Sequence, residues 1–132
     1  MLEQLLPHRG EALFLREIVA HDADSVTAWA SVKEDSPYVA HDLADALLAI
    51  EIAAQAAAAH AGLVSGAGET GTRQGYLVGV KTLTLLAPSF ATKTQIAIRV
   101  RLLGRAAQLA TWSFVFGSPE RPIAEGEISV WS

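Results

Sequence analysis

Cysteine is absent from this 132-residue chain, and its absence excludes several kinds of chemistry. Without thiols the protein has no disulfide framework, no thiolate nucleophile and no cysteine-ligated metal. The four histidines, His8, His21, His41 and His60, are scattered and lack the His-Glu-x-x-His spacing of a helical metal site. We therefore expect neither a bound metal nor another cofactor.

Basic residues are also scarce, because 10 Lys and Arg stand against 14 Asp and Glu, a formal net charge of −4. Proteins that bind nucleic acid usually carry a basic surface, so no nucleic-acid partner is expected. The alanine-rich stretch 43–63 contains charged residues, and a carboxylate inside a bilayer costs about 2.5–3.5 kcal/mol. The acidic start with its early proline does not resemble a signal peptide. We expect a cytoplasmic protein without a membrane span, formed by a single domain over 1–132.

Apolar and polar residues alternate in several segments on both sides of one alanine-rich helix. The helix is predicted over 43–63, with Asp42 or Asp45 as its N-cap and Gly62 near its C-terminus. The polar segment 33–42 and the glycine-rich segment 64–74 are predicted as loops. Strands are predicted over 12–20, 25–32, 76–86, 94–103, 108–116 and 123–131.

The predicted element order is therefore β-β-α-β-β-β-β. A helix that is apolar on all sides has to be covered by other structure, and one curved antiparallel sheet wrapped around it would do so. The expected fold class is α+β. Such a sheet keeps a helix-free face and two edge strands that need protection, and dimerisation through an edge strand would protect one of them.

Glu51 is the most informative residue, because it is a lone carboxylate in the middle of the apolar helix. Glutamates are rarely buried without a partner, and apolar surroundings favour the protonated carboxyl group. Glu51 is therefore either a proton donor in a reaction or a structural acid paired to an arginine across a dimer interface. Gln55 follows one helical turn later on the same side, where it can orient that carboxyl group.

Two sequence blocks resemble a known enzyme family. Residues 6–9 (LPHR), followed by an apolar segment, resemble the N-terminal block of the hot-dog-fold (3R)-hydroxyacyl-[acyl-carrier-protein] dehydratases. Residues 50–57 (IEIAAQAA) resemble their central helix, and the predicted element order is also theirs. With the loop 36–38 (SPY), the chain is most similar to the dehydratase-like proteins of aryl polyene clusters.

The resemblance implies a hot-dog fold and a dimer, in which a histidine of one subunit lies near the helix carboxylate of the other. Between them runs a tunnel for an acyl-phosphopantetheine chain on acyl carrier protein. Glu51 matches the catalytic carboxylate, and Gln55 its helical neighbour. The family's Gly-His-Phe-Pro-Gly loop is absent, so His41 is the candidate second catalytic residue, with a plain loop histidine as the alternative. His8 and Tyr38 are candidates for binding substrate in the tunnel.

The reaction implied by the resemblance is dehydration of a 3-hydroxyacyl thioester, or the reverse hydration, in fatty-acid or polyene-type lipid biosynthesis. A neutral histidine is a suitable base near pH 7, and a protonated Glu51 is a suitable acid. Free amides at the start of the helix can bind the thioester oxygen. Two alternatives keep the fold: a non-catalytic acyl-binding subunit of a heteromeric dehydratase, or an acyl thioesterase. The dimer partner is either a second copy or a related hot-dog subunit.

Arg99, Arg101 and Arg105 form the main concentration of positive charge in this acidic chain. Alternate positions of a strand normally face water, so the three arginines can simply form a solvated strand face. The functional interpretation is a docking strip that steers an acidic carrier protein toward the enzyme.

Overall fold

The computed structural model describes residues 14–33, 36–37, 39–65 and 76–131. These residues contain one helix, α1 (Leu48–Ser65), and strands β1 (Leu15–His21), β2 (Ser25–Ala30), β3 (Val39–Ala40), β4 (Leu43–Asp45), β5 (Tyr76–Leu85), β6 (Ser89–Ala91), β7 (Ile96–Ala106), β8 (Leu109–Gly117) and β9 (Pro122–Trp131). The six long strands form one antiparallel sheet in the order β1-β2-β7-β8-β9-β5. The three short strands form a second sheet in the order β3-β4-β6.

Residue alternation decides which face of the large sheet meets the helix. In β2, Val26 and Ala28 are buried, whereas Thr27 and Trp29 are half-buried. The strands β7 and β8 alternate in the same way over most of their length, and the register aligns their buried residues with Ala124, Ile128 and Val130 of β9 into one apolar layer. The alanines of α1 pack on this layer, because their small side chains let the helix lie close to the sheet. The arrangement confirms the predicted α+β hot-dog fold, with one helix wrapped by a curved antiparallel sheet.

The helix begins later and ends later than predicted. Residues 43–45 form β4, whose backbone pairs with 89–91, and this pairing removes them from the helix. The carboxylate of Asp45 accepts a hydrogen bond from Leu47 N (2.8 Å) just before α1 begins, so Asp45 caps the first turn. Gly62 lies inside the helix, which continues to Ser65. The described residues form no helix that is long and apolar enough to cross a membrane.

Several of the long strands contain bulges that change which residues share a face, and those in β5 and β7 affect the candidate site residues. In β5 the register shifts between Leu77 and Gly79 and again between Val80 and Thr82, and in β7 it shifts between Leu102 and Gly104. A bulge puts two residues of one strand opposite one residue of the other. Simple alternation therefore fails beyond each of these points.

Candidate functional site

Glu51 lies on the first full turn of α1 and is exposed in the single chain, whereas the residues that follow it in the helix are buried. The sequence predicts an acid that is shielded by apolar residues. The structure places the carboxylate at the only strongly exposed position of the described helical side chains, because the open side of α1 is at its N-terminal end. Within the described residues, Glu51 is therefore not shielded by the apolar side chains that follow it in the helix.

Exposed apolar side chains run along the β5 edge, and those at its end, Leu85 and Leu86, lie nearest to this end of the helix. The exposed large hydrophobic residues include Leu47, which precedes Glu51 by one turn, and five residues in or directly after β5: Leu77, Val78, Val80, Leu85 and Leu86. The two parts are joined by the hydrogen bond from Ala46 N to Pro88 O (3.0 Å), which holds the end of β5 beside the start of α1. We call Leu47 together with these five residues the β5–helix surface.

Sequence reasoning missed this surface because of the bulges in β5. Leu77, Val80 and Leu85 pair with Val130, Ile128 and Ala124, all of which point inward, yet the three β5 side chains are 36–43% exposed. They lie on the helix side of the sheet at an edge that α1 only partly covers. The irregular spacing of these apolar residues in the sequence is the signal that could have revealed the bulges.

Gln55 is buried, with 1% of its surface exposed. Its side-chain oxygen accepts a hydrogen bond from Phe14 N at 2.9 Å. Gln55 therefore ties the start of the first strand to the central helix. The hydrogen bond from Phe14 N to the Gln55 side-chain oxygen stabilises the fold. Contact of Gln55 with substrate and orientation of Glu51 by Gln55 stay predictions.

His41 is exposed at the tip of the β3–β4 hairpin. His41 and Asp42 have φ values of 55° and 63°, which is the left-handed pair that a two-residue type I′ turn requires. Histidine is one of the few residue types enriched at positive φ, so this conformation is compatible with its side chain. The hairpin places His41 near the start of α1 along the chain, and its catalytic role stays a prediction. The predicted substrate-binding residues His8 and Tyr38 lie outside the described residues.

The three arginines do not share one face. Arg99 and Arg101 pair with Val115 and Ser113 and point to the helix-free side of the sheet. Beyond the bulge at Leu102/Gly104, Arg105 pairs with Ala110, whose side chain is buried on the helix side. The bulge therefore places Arg105 on the opposite face from Arg99 and Arg101. The three arginines do not form the single docking strip that strict alternation predicts.

His60 is a buried polar residue in the second half of α1. Its Nε2 lies 2.9 Å from the carbonyl oxygen of Asp22, and its ring meets the ring of Trp112 edge to face at 5.1 Å. This environment fixes the helix against the β1–β2 turn, at the end of α1 opposite Glu51. Among the described residues, no group of three or more His, Asp or Glu side chains is arranged to hold a metal ion.

Solved structures with the same fold include a dehydratase complex and thioesterases. The dehydratase heterocomplex ApeI:P from Xenorhabdus doucetiae matches with a TM-score of 0.86 and 19% identity, covering 99% of this chain and 90% of that one. A hypothetical thioesterase with coenzyme A from Streptococcus pneumoniae TIGR4 matches at 0.63 and 11%, covering 88% and 83%. The PaaI protein of E. coli, from the phenylacetic acid degradation operon, matches at 0.62 and 13%, covering 88% and 82%. At these identities the likeness establishes the fold alone.

No curated protein sequence matches the chain. The sequence profile of the ApeP-like family, described as ApeP dehydratase, matches residues 1–132. The match includes both resemblance blocks, the central helix and all the described strands. The chain therefore belongs to the ApeP-like dehydratase family.

Proposed function

We propose that the protein acts in the dehydration of 3-hydroxyacyl thioesters on acyl carrier protein, with Glu51 as the catalytic acid. The observation that carries the proposal is that Glu51 is the exposed carboxylate of the described helical side chains, at the end of α1 that lies beside Leu85 and Leu86. A hot-dog subunit that pairs with the edge strand β5 would cover this surface and exclude water from Glu51. A dry, apolar site favours the protonated carboxyl group that can donate a proton. The proposal includes a cytoplasmic location and a role in fatty-acid or polyene-type lipid synthesis.

The proposed reaction needs one base and one acid. The base removes a proton from Cα of the 3-hydroxyacyl thioester, the electron pair forms the Cα–Cβ double bond, and the C–O bond at Cβ breaks. Glu51 gives its proton to the departing hydroxyl group, which leaves as water. His41 of one subunit is the proposed base, because its neutral imidazole can accept a proton near pH 7. In the reverse direction the same groups hydrate an enoyl thioester.

The amides at the start of α1 are less free than the sequence suggested. Leu47 N donates to Asp45, Ala49 N donates to Ala46 O, and Ile50 N donates to Leu47 O. Helix-start amides can bind an oxyanion only while they have no other acceptor. We therefore assign no oxyanion role to these three groups.

A second candidate is a subunit that binds or braces without catalysing. It is favoured by the position of His41, which is exposed at a hairpin tip and lacks the Gly-His-Phe-Pro-Gly context of the resembling dehydratases. In this case the protein pairs with a related hot-dog subunit that supplies the catalytic groups. A third candidate is thioester hydrolysis, in which Glu51 would activate water.

The test is hydration of a crotonyl thioester on acyl carrier protein by wild-type protein, Glu51→Gln and His41→Asn. Asparagine keeps the positive φ of the turn and removes the imidazole, so a change in rate reports the ring and not the hairpin. We expect each substitution to lower kcat roughly 10²–10⁴-fold, the usual contribution of an acid or base. The matched controls are Glu125→Gln, on the helix-free face, and His21→Asn, on exposed β1; both should keep the wild-type rate.

The outcomes separate the three candidates. Equal rates for wild type, Glu51→Gln and His41→Asn would remove both residues from the mechanism. Release of free thiol from a saturated acyl thioester, lost in Glu51→Gln, would establish hydrolysis instead. If the folded wild-type chain alone gives neither product, the brace candidate replaces the catalytic one.

The carrier-docking prediction has to be tested on the two faces separately. An acidic carrier that approaches Arg99 and Arg101 also meets Glu125 and Glu127, which lie on the same helix-free face. Arg105 lies on the other side of the sheet. The comparison is KM for carrier-bound substrate in Arg99→Glu/Arg101→Glu and in Arg105→Glu, with the pantetheine-bound substrate as reference. The docking face is the one on which charge reversal raises KM for the carrier-bound substrate but not for the pantetheine-bound substrate.

A further inference from the structure

The helix-free face of the large sheet carries its charges in stripes. Arg99 and Arg101 stand on β7, and Glu125 and Glu127 stand on β9. The strand between them, β8, presents Leu109, Thr111, Ser113 and Val115 on this face, and the two that lie between the charged stripes, Ser113 and Val115, are small. The register aligns them in rows, because Val115 pairs with both Arg99 and Glu125, and Ser113 pairs with both Arg101 and Glu127.

This pattern is complementary to itself. A two-fold axis that runs parallel to β8, between two facing sheets, places the β7 of one copy over the β9 of the other. Arg99 then faces Glu125 of the second copy, and Arg101 faces Glu127. A two-fold axis perpendicular to the strands would instead place arginine over arginine and glutamate over glutamate. The same β8 axis puts Thr27 over Thr84 and Ser25 over Thr82, all of them uncharged.

We propose that the helix-free face binds a second copy of this chain, back to back, with β8 on the two-fold axis. Sheets packed face to face lie about 10 Å apart, a gap that an arginine and a glutamate can span together. The small side chains of β8 allow this approach at the axis. Arg99, Val115 and Glu125 line a cavity of about 390 Å³ on this face. This cavity leaves room for the Arg99 and Glu125 side chains of the second copy.

The face is also large enough. Five strands about 4.8 Å apart and about 30 Å long give a flat area of roughly 700 Å², close to the about 800 Å² that each partner buries in a typical stable interface.

This contact leaves the β5 edge free for another subunit. If that subunit is a different hot-dog protein, the assembly closes at two copies of this chain. If it is a further copy, two axes that do not intersect would build an open chain of copies.

The test measures particle mass by light scattering in a Val78→Lys background, which places a charge on the exposed β5 edge and removes pairing there. In this background we expect a particle of two copies. Arg99→Glu/Arg101→Glu should reduce it to one copy, and so should Glu125→Arg/Glu127→Arg. The two double variants mixed in equal amounts should restore two copies, as should the quadruple variant. Lys33→Glu/Arg105→Glu, which reverses two charges outside this face, is the matched control and should keep two copies.

Salt gives a second readout. The Debye length shrinks from about 8 Å at 0.15 M to about 3 Å at 1 M, so the two-copy particle should dissociate more readily at high salt. A one-copy particle in the unreversed background, or a mass that the reversals leave unchanged, would overturn the proposal. So would reversals that raise KM for carrier-bound substrate while the mass stays constant, since they would assign Arg99 and Arg101 to the carrier. Because the readout is mass and not turnover, failure here is independent of the proposed reaction.

Discussion

Two polar side chains stabilise the β1–β2 turn, one by shaping its backbone and the other by attaching it to the helix. His60 is buried and meets the carbonyl oxygen of Asp22 through Nε2. Since a carbonyl can only accept, Nε2 carries the proton in this contact. The carboxylate of Asp22 lies outside and accepts hydrogen bonds from Asp24 N, Ser25 N and the Ser25 hydroxyl at 2.8–3.0 Å. Asp22 thus shapes the turn, and His60 attaches it to the core.

His60→Ala should lower the free energy of unfolding by about 2–4 kcal/mol, because it opens a cavity beside Trp112 and leaves a partly buried carbonyl without its donor. His60→Gln is the matched control, since its amide can donate to the same carbonyl while filling more of the space. The measurement is urea denaturation of the three proteins. Equal stability of wild type and His60→Ala would show that the turn does not depend on this contact.

The acid stability of the turn depends on Asp22. The hydrogen bond from Asp24 N, followed by that from Ser25, holds the pKa of the Asp22 carboxyl below its ordinary value of 3.8. A carboxyl group whose pKa is lower in the folded state stabilises the fold above its unfolded pKa, and this stabilisation is lost as the pH falls through the folded pKa. Asp22→Asn keeps an acceptor oxygen but cannot titrate.

Asp22→Asn should therefore reduce the pH dependence of the unfolding free energy below about pH 4. Asp24→Asn removes the same charge from the same turn without removing these acceptor contacts, and it should keep the wild-type dependence. Urea denaturation at a series of pH values makes the comparison. An unchanged slope in Asp22→Asn would contradict the role given to this carboxylate.

At the residue scale the sequence was most informative where a residue differed in polarity from its neighbours. Glu51 could be selected because it is a lone carboxylate in an apolar segment, although the structure places it in the first turn of α1, where an acidic side chain is favoured. The contact between Gln55 and Phe14 could not be foreseen, because it joins residues 41 positions apart. The exposure of Glu51 in the single chain was also beyond the sequence, since it depends on what covers the N-terminal end of α1.

Close approach of two strands makes one glycine necessary. Gly126 of β9 pairs with Leu83 beside the second bulge of β5, and a Cβ at this position would overlap the Thr82 carbonyl group. The overlap is with backbone, which cannot rotate away as a side chain would. In contrast, a Cβ at Gly104, in the bulge of β7, would meet no atom within 4 Å.

Gly126→Ala should destabilise the protein by about 1–3 kcal/mol or more, the cost of forcing atoms into a packed site. Gly104→Ala should be neutral or slightly stabilising, because alanine restricts the unfolded chain. Thermal unfolding followed by circular dichroism compares the two. Similar melting temperatures for Gly126→Ala and wild type would mean that the bulge in β5 relaxes without cost.

At the element scale the long strands and the helix were predictable, and the short strands were not. Periodicity identifies an element through several repeats, and the six long strands have enough residues for this. The strands β3, β4 and β6 have two or three residues each, too few for a repeat. Their pairing also explains the late start of α1. The bulge that moves Arg105 to the helix side interrupts the alternation at Leu102, Leu103 and Gly104, but the sequence does not give the register that follows it.

The whole molecule has two unequal edges. Both edge strands, β1 and β5, contain two bulges, which discourage pairing with other chains. Beyond that they differ, because β1 exposes one large apolar residue, Val19, whereas β5 exposes several, which are interrupted by Lys81, Thr82 and Thr84. The β5 edge is therefore the one that requires a partner, and the partner would also shield Glu51.

Val78→Lys should lower the particle mass of the chain measured alone, because a lysine on an edge strand cannot be buried at a strand-pairing interface without losing its hydration. The matched variant is Val19→Lys, which introduces the same charge on the other edge, where the valine is 53% exposed against 60% for Val78. Val19→Lys should keep the native mass. Circular dichroism verifies that both variants are folded, and sedimentation velocity gives the masses. A loss of mass in Val19→Lys, with Val78→Lys unaffected, would place the partner at β1 and leave Glu51 uncovered, which would also remove the structural basis of its proposed role as an acid.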